Sequence, residues 1–96
     1  MHPPPDSAEL KADAASAKRR GMTFTICHRD KPKAQWRDAE IGISDLIVAL
    51  KRAAALDAFE TAVFTAGPEP LGGFMYWSSR HPEVLNSTVI THEVHR

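Results

Sequence analysis

The sequence predicts an α+β domain, a two-layer sandwich in which one main helix lies on a mostly antiparallel sheet of four or five strands, with a helical appendage at the N-terminus. Three observations carry this expectation. A strong helical period runs from Ser44 to Leu56, segments of strand character flank it on both sides, and the first 21 residues differ in composition from the rest. A single long amphipathic helix has no second helix of equal size to cover its apolar stripe, so it must lie on the sheet.

The N-terminal segment opens with Pro3 to Pro5 and continues as an alanine-rich, charged stretch from Asp6 to Arg20, closed by Gly21. Asp6 with Glu9 has the spacing of a capping box, Lys18 to Arg20 suit the negative end of a helix, and Gly21 suits its C-terminal cap. A helix over Ser7–Arg20 follows. Its apolar stripe, Leu10, Ala14 and Ala17, is small, so the segment is expected either to dock weakly or to fray. Residues 1–21 are accordingly read as an appendage and 22–96 as a single domain that folds without it.

At Met22 the period changes to two: Met22, Phe24 and Ile26 alternate with Thr23, Thr25 and Cys27 as in a strand. Arg29 to Lys33 is polar and turn-forming, and Ala34 to Glu40 returns as a second strand carrying Trp36, which makes a hairpin with a basic tip. Gly42 is expected to break the chain. The main helix then presents Leu46, Ile47, Leu50 and Ala54 to the sheet and Asp45, Lys51 and Arg52 to water. Phe59–Ala66, apolar on both alternating faces, reads as a central strand. Gly67 to Gly73 is a run of chain breakers, and Phe74–Ser78 is a strand with Phe74 and Tyr76 on one face and Met75 and Trp77 on the other. His81 to Asn86 can form one helical turn, and Ser87–Val94 closes the chain as a strand.

Composition narrows the function. The chain has 96 residues, 12 basic and 12 acidic side chains, 43% apolar positions and a pI near 7.0. That argues against a multidomain enzyme, a polybasic nucleic-acid coat and a disordered acidic tail. A neutral pI favours self-association near pH 7. The longest strictly apolar run, Leu46 to Leu50, is far short of the roughly 20 residues a membrane helix needs. The proline-rich start lacks the basic and apolar regions of a secretion signal, and Cys27 is the sole cysteine, so a reducing cytoplasm is the expected compartment.

Five histidines make a metal or acid/base site the first chemistry to weigh. His92 and His95, with Glu93 between them, would share a zinc ion on a helix, but the preceding Ser87 to Thr91 has strand character and would point them to opposite faces. Cys27 and His28 are adjacent, and on a strand an imidazole cannot easily serve the neighbouring thiol. A small hydrolase or metal-assisted site would therefore have to be assembled by the fold from Cys27, His81, His92 and Glu93. The glycine-rich loop matches no phosphate-binding motif, and its prolines remove amide donors. Ser78 and Ser79 fit no nucleophile elbow.

The hairpin tip is the clearest electrostatic feature: Arg29, Lys31, Lys33 and Arg37 outnumber Asp30 before Asp38 begins an acidic stretch. With Trp36 beside them, these cations could contact phosphates and stack on a base. No helix-turn-helix, ribonucleoprotein or zinc-finger signature accompanies them, and the whole chain is neutral. Phe74 to Trp77 is rich in the residue types of interface cores. The leading expectation is thus a small non-enzymatic intracellular binding module, a regulator, inhibitor or accessory subunit, acting through protein contacts or as a homodimer. Trp77, Tyr76 and Trp36 are its expected anchors, on a sheet face left open by the helix. A nucleic-acid binder using residues 29–37 is the second reading and the small enzyme the third. No cofactor, structural metal or membrane contact is expected.

Overall fold

A computed structural model describes residues 8–66 and 73–80. Helix α1 (Ala8–Arg19), strands β1 (Phe24–Arg29) and β2 (Arg37–Ile43), helix α2 (Leu46–Ala55) and strands β3 (Glu60–Thr65) and β4 (Met75–Ser78) follow in that order. The strands form a four-stranded antiparallel sheet, β2-β1-β3-β4, so the fold is α+β as expected. The expected helical turn at 81–86, the closing strand at 87–94, Asp6 of the capping box and most of the glycine-proline loop lie outside the described residues.

Helix α1 ends as its sequence requires. Gly21 adopts φ +71, its N–H donates to the Lys18 carbonyl at 3.2 Å, and the Met22 N–H reaches back to the Ala17 carbonyl at 3.0 Å. This paired Schellman arrangement turns the chain directly into the sheet and buries Met22. Leu10 and Ala17 belong to the same apolar core as Phe24, Ile26, Leu46 and Val63, and α1 packs against α2. Of the two outcomes expected for the N-terminal helix, docking and fraying, the structure has it docked, with Leu10 and Ala17 in the core. Its short apolar stripe is supplemented by a buried polar contact, the Asp13 carboxylate with the Tyr76 hydroxyl.

The β1–β2 hairpin differs from expectation in its second strand. β2 begins at Arg37, leaving Trp36 in the loop, and it runs through Gly42. Pairing with β1 slips twice: Phe24 faces Ile43, Ile26 faces Glu40 and Cys27 faces Asp38. The extra residues are accommodated as bulges, and Gly42, at φ +76, supplies the left-handed conformation that one of them needs. Gly42 is thus a bulge residue and not a chain break.

Asp45 caps α2, its Oδ1 accepting from the N–H groups of Ile47 and Val48 at 2.9 and 3.2 Å. Leu46, Ala49, Leu50 and Ala53 are buried beneath the helix, whereas Ala54 is exposed, so the apolar stripe is rotated slightly from the expected one. Thr61 ties the sheet to α2 by donating its hydroxyl to the Ala53 carbonyl at 2.9 Å. Phe24, Ile26, His28, Thr61, Val63 and Thr65 share this helix-facing side by register, while Thr25, Cys27, Arg29, Glu60, Ala62 and Phe64 face the other way.

A bulge in the β3–β4 pairing corrects a further expectation. Val63 faces Trp77 and Phe64 faces Met75, which makes Tyr76 the extra residue. Alternation is lost there, and the adjacent Tyr76 and Trp77 both enter the same core, 0% and 2% exposed. Neither ring is available as a surface anchor.

Candidate functional site

On the side of the sheet away from α2, a chain of contacts links the start of β3 to the hairpin loop. Arg29 and Glu60 are cross-strand partners, and the Arg29 Nε donates to Glu60 Oε1 at 2.8 Å. The other carboxylate oxygen of Glu60 accepts from the Ser78 hydroxyl, so a residue only 3% exposed has both carboxylate oxygens engaged. The Arg29 guanidinium lies 4.3 Å from the centroid of the Trp36 ring, and that ring meets Phe64 edge-on at 5.6 Å. These contacts fold the loop against the sheet, with Trp36 half-buried.

Beyond Trp36 the loop tip is a tight turn. The Ala34 N–H donates to the Lys31 carbonyl at 3.1 Å, and Pro32 occupies the second position, which its fixed φ favours. Lys31, Pro32, Lys33 and Ala34 border a concavity of about 420 Å³. Lys31, Lys33 and Arg37 are exposed, and none of them forms an ion pair among the described residues. Asp30 and Asp38 flank this cationic stretch. A smaller groove, about 230 Å³, lies between β2 and the end of α2, with the Arg52–Glu40 ion pair among its lining residues.

Cys27 sits beside β2, its thiol directed at Asp38 Oδ1 3.5 Å away. Burial first, then the hydrogen bond to Asp38 and that carboxylate's charge, push the thiol up to about 12 from its ordinary 9.0. Such surroundings hold the sulfur protonated and unreactive at neutral pH. His28 is on the opposite face, as alternation requires.

The structure thus separates the sequence's candidates. Arg29 and Trp36 are brought together as the inner part of the hairpin, and Lys31, Lys33 and Arg37 form its outer surface. Tyr76 and Trp77 are in the core. The helix-free face was expected to be partly open; on it Cys27, Glu60, Ala62 and Ser78 are buried, and Met75 and Thr25 are half-buried. Of the enzyme's expected groups, His81, His92 and Glu93 lie outside the described residues. Among the described residues no cluster of three or more His, Cys, Asp or Glu side chains is placed to hold a metal, and no helix is long and apolar enough to cross a membrane.

Glu60 and Ser78 were missed by sequence reasoning. The available signal was the carboxylate at the head of an otherwise apolar, two-faced strand, since a buried charge there demands a cation, and Arg29 is the nearest one in register.

No protein-family model, curated protein or solved structure matches the chain.

Proposed function

We propose that this chain is a small non-enzymatic binding module, a regulator, inhibitor or accessory subunit, and that the β1–β2 hairpin is its contact element for a protein partner. The observation that carries the reading is the division of roles among the hairpin's basic residues. Arg29 is turned inward, paired with Glu60 and stacked on Trp36, while Lys31 and Lys33 project from a turn held in shape by Pro32 and Arg37 is exposed at the start of β2. A rigid, charged protrusion loses little conformational freedom on binding, which favours recognition by a surface.

The burial of Tyr76 and Trp77 weighs against self-association through those rings, which favours a different protein as the partner. An intracellular site of action rests on the lone Cys27. The protonated state of that thiol weighs against a nucleophilic role for it.

Photo-crosslinking in the cells that make the protein tests the reading. A photoreactive residue at position 32 or 34 should yield a discrete protein adduct, whereas the same residue at the exposed position 51 on α2 should not. Equal yields at all three positions, or adducts only with nucleic acid, would overturn it.

A further inference from the structure

The turn Lys31–Ala34 combines two features that together specify the chemistry of what it meets. Its concavity of about 420 Å³ is lined by Lys31, Pro32, Lys33 and Ala34 and is mostly apolar, although two of these residues carry ammonium groups at the ends of long hydrocarbon stems. The shape is preformed by the Ala34 to Lys31 hydrogen bond and by the proline. A neutral apolar surface would leave the ammonium groups without partners, and a purely anionic one would leave the hydrocarbon wet.

From this complementarity, and resting on the hairpin reading above, we infer that the partner presents a short acidic segment with one apolar side chain between its carboxylates. The side chain fills the concavity, and the carboxylates meet Lys31, Lys33 and Arg37. A nucleic-acid strand fits less well. The ring it would stack on, Trp36, already carries the Arg29 guanidinium on its face and meets Phe64 edge-on. Asp30 and Asp38 also bound the cationic stretch on both sides along the chain, which suits an acidic segment of a few residues better than a polyanion whose charge continues in both directions.

The test is an amide chemical-shift titration of the full chain with three probes: a ten-residue peptide of aspartates and glutamates with a central leucine, the same peptide with serine in place of leucine, and a ten-nucleotide oligothymidylate. The leucine peptide should shift the amides of Lys31, Lys33 and Ala34, and the serine peptide should bind about tenfold more weakly, the equivalent of one buried aliphatic side chain. Lys31→Glu combined with Lys33→Glu should abolish the response with the remaining amides unmoved, and Lys51→Glu should leave it intact. Equal affinity for the two peptides, or no response at the turn to either, overturns the inference about the partner. If the oligothymidylate moves the turn more strongly than the leucine peptide, the acidic-segment inference fails while the hairpin remains the contact element. The crosslinking experiment reads the hairpin's role separately, so a negative titration with a positive crosslink rejects the acidic chemistry alone.

Discussion

Tyr76 donates its phenolic hydrogen to the carboxylate of Asp13, joining strand β4 to helix α1 across 63 positions of chain. Both residues are 0% exposed. A buried carboxylate is costly unless it is hydrogen-bonded, so the pair fixes where α1 lies as well as how strongly it is held. The β4 bulge makes the contact possible, because it turns Tyr76 to the same side as Trp77.

Tyr76→Phe removes this bond and leaves the ring's apolar packing in place. The expected loss is about 1–3 kcal/mol, which for a domain of this size lowers Tm by roughly 4–8 °C per kcal/mol. Thermal denaturation followed by circular dichroism measures it, and an unchanged Tm would show that the contact does not hold α1.

Deleting residues 1–21 should go further, since it removes Leu10 and Ala17 from the core together with Asp13. Burial of the leucine side chain alone is worth about 1.5–3 kcal/mol. The truncated chain should lose amide-exchange protection in β4 and α2. Native-like protection in the truncated chain would show instead that residues 22–96 fold alone.

How much of this was legible follows from where each signal is local. The existence of α2 and of the two-faced strand β3 is read directly, because Leu46 and Leu50 recur at helical spacing and Ala62 and Val63 alternate between covered faces. The exact helical stripe, completed by Ala49 and Ala53 and not by Ile47 and Ala54, is set by packing. What stayed hidden depends on pairing. Tyr76 and Trp77 cannot both be placed in one core until the bulge opposite Val63 and Phe64 is known, and Gly42 reads as a break until β1 is laid beside it. α1 looked marginal because only its apolar residues were weighed, whereas Asp13 is the side chain that reaches the sheet. At the hairpin the basic residues were all visible, but their division into inner Arg29 and outer lysines depends on Glu60, more than 30 positions away.

Glu60→Gln keeps the shape of the side chain and removes its charge. Arg29 then faces a neutral amide, so the charge-assisted bond weakens and the hold on Trp36 loosens; a loss of about 1–3 kcal/mol is expected. Trp36 fluorescence should shift to the red as the ring gains exposure, with the core rings Tyr76 and Trp77 unaffected by near-ultraviolet dichroism. No change in the fluorescence would mean that the ring is held by Phe64 alone.

Gly42→Ala tests the bulge in β2. A Cβ at that position would meet nothing within 4 Å, so the cost comes from φ +76 and not from crowding. Alanine in the left-handed region costs about 1–2 kcal/mol. Urea denaturation should show a fall in midpoint with an unchanged slope, and a stability equal to the parent would mean that β2 re-registers against β1 to relieve the strain.

The alkaline limb of the stability curve should carry the mark of Cys27. Burial and the neighbouring Asp38 favour the protonated thiol, so the folded state holds this proton up to about 12, while the unfolded chain releases it near 9.0. The stabilisation is therefore present in full below about pH 9 and declines as the pH rises from there towards 12, because over that window the unfolded state binds fewer protons than the native one. The measurement is the difference between the parent and Cys27→Ala in urea midpoints from pH 8 to 11, in which contributions common to both chains cancel. The parent should fall more steeply above pH 9. Asp38→Asn should recover part of that slope, since it removes the carboxylate's charge and leaves burial, the larger cause, in place. Iodoacetamide should alkylate the folded parent slowly at pH 8 and the urea-unfolded chain rapidly. Parallel stability curves for parent and Cys27→Ala, together with fast alkylation of the folded chain, would show that the thiol is ionised at its ordinary pKa and that the Asp38 contact does not shape its chemistry.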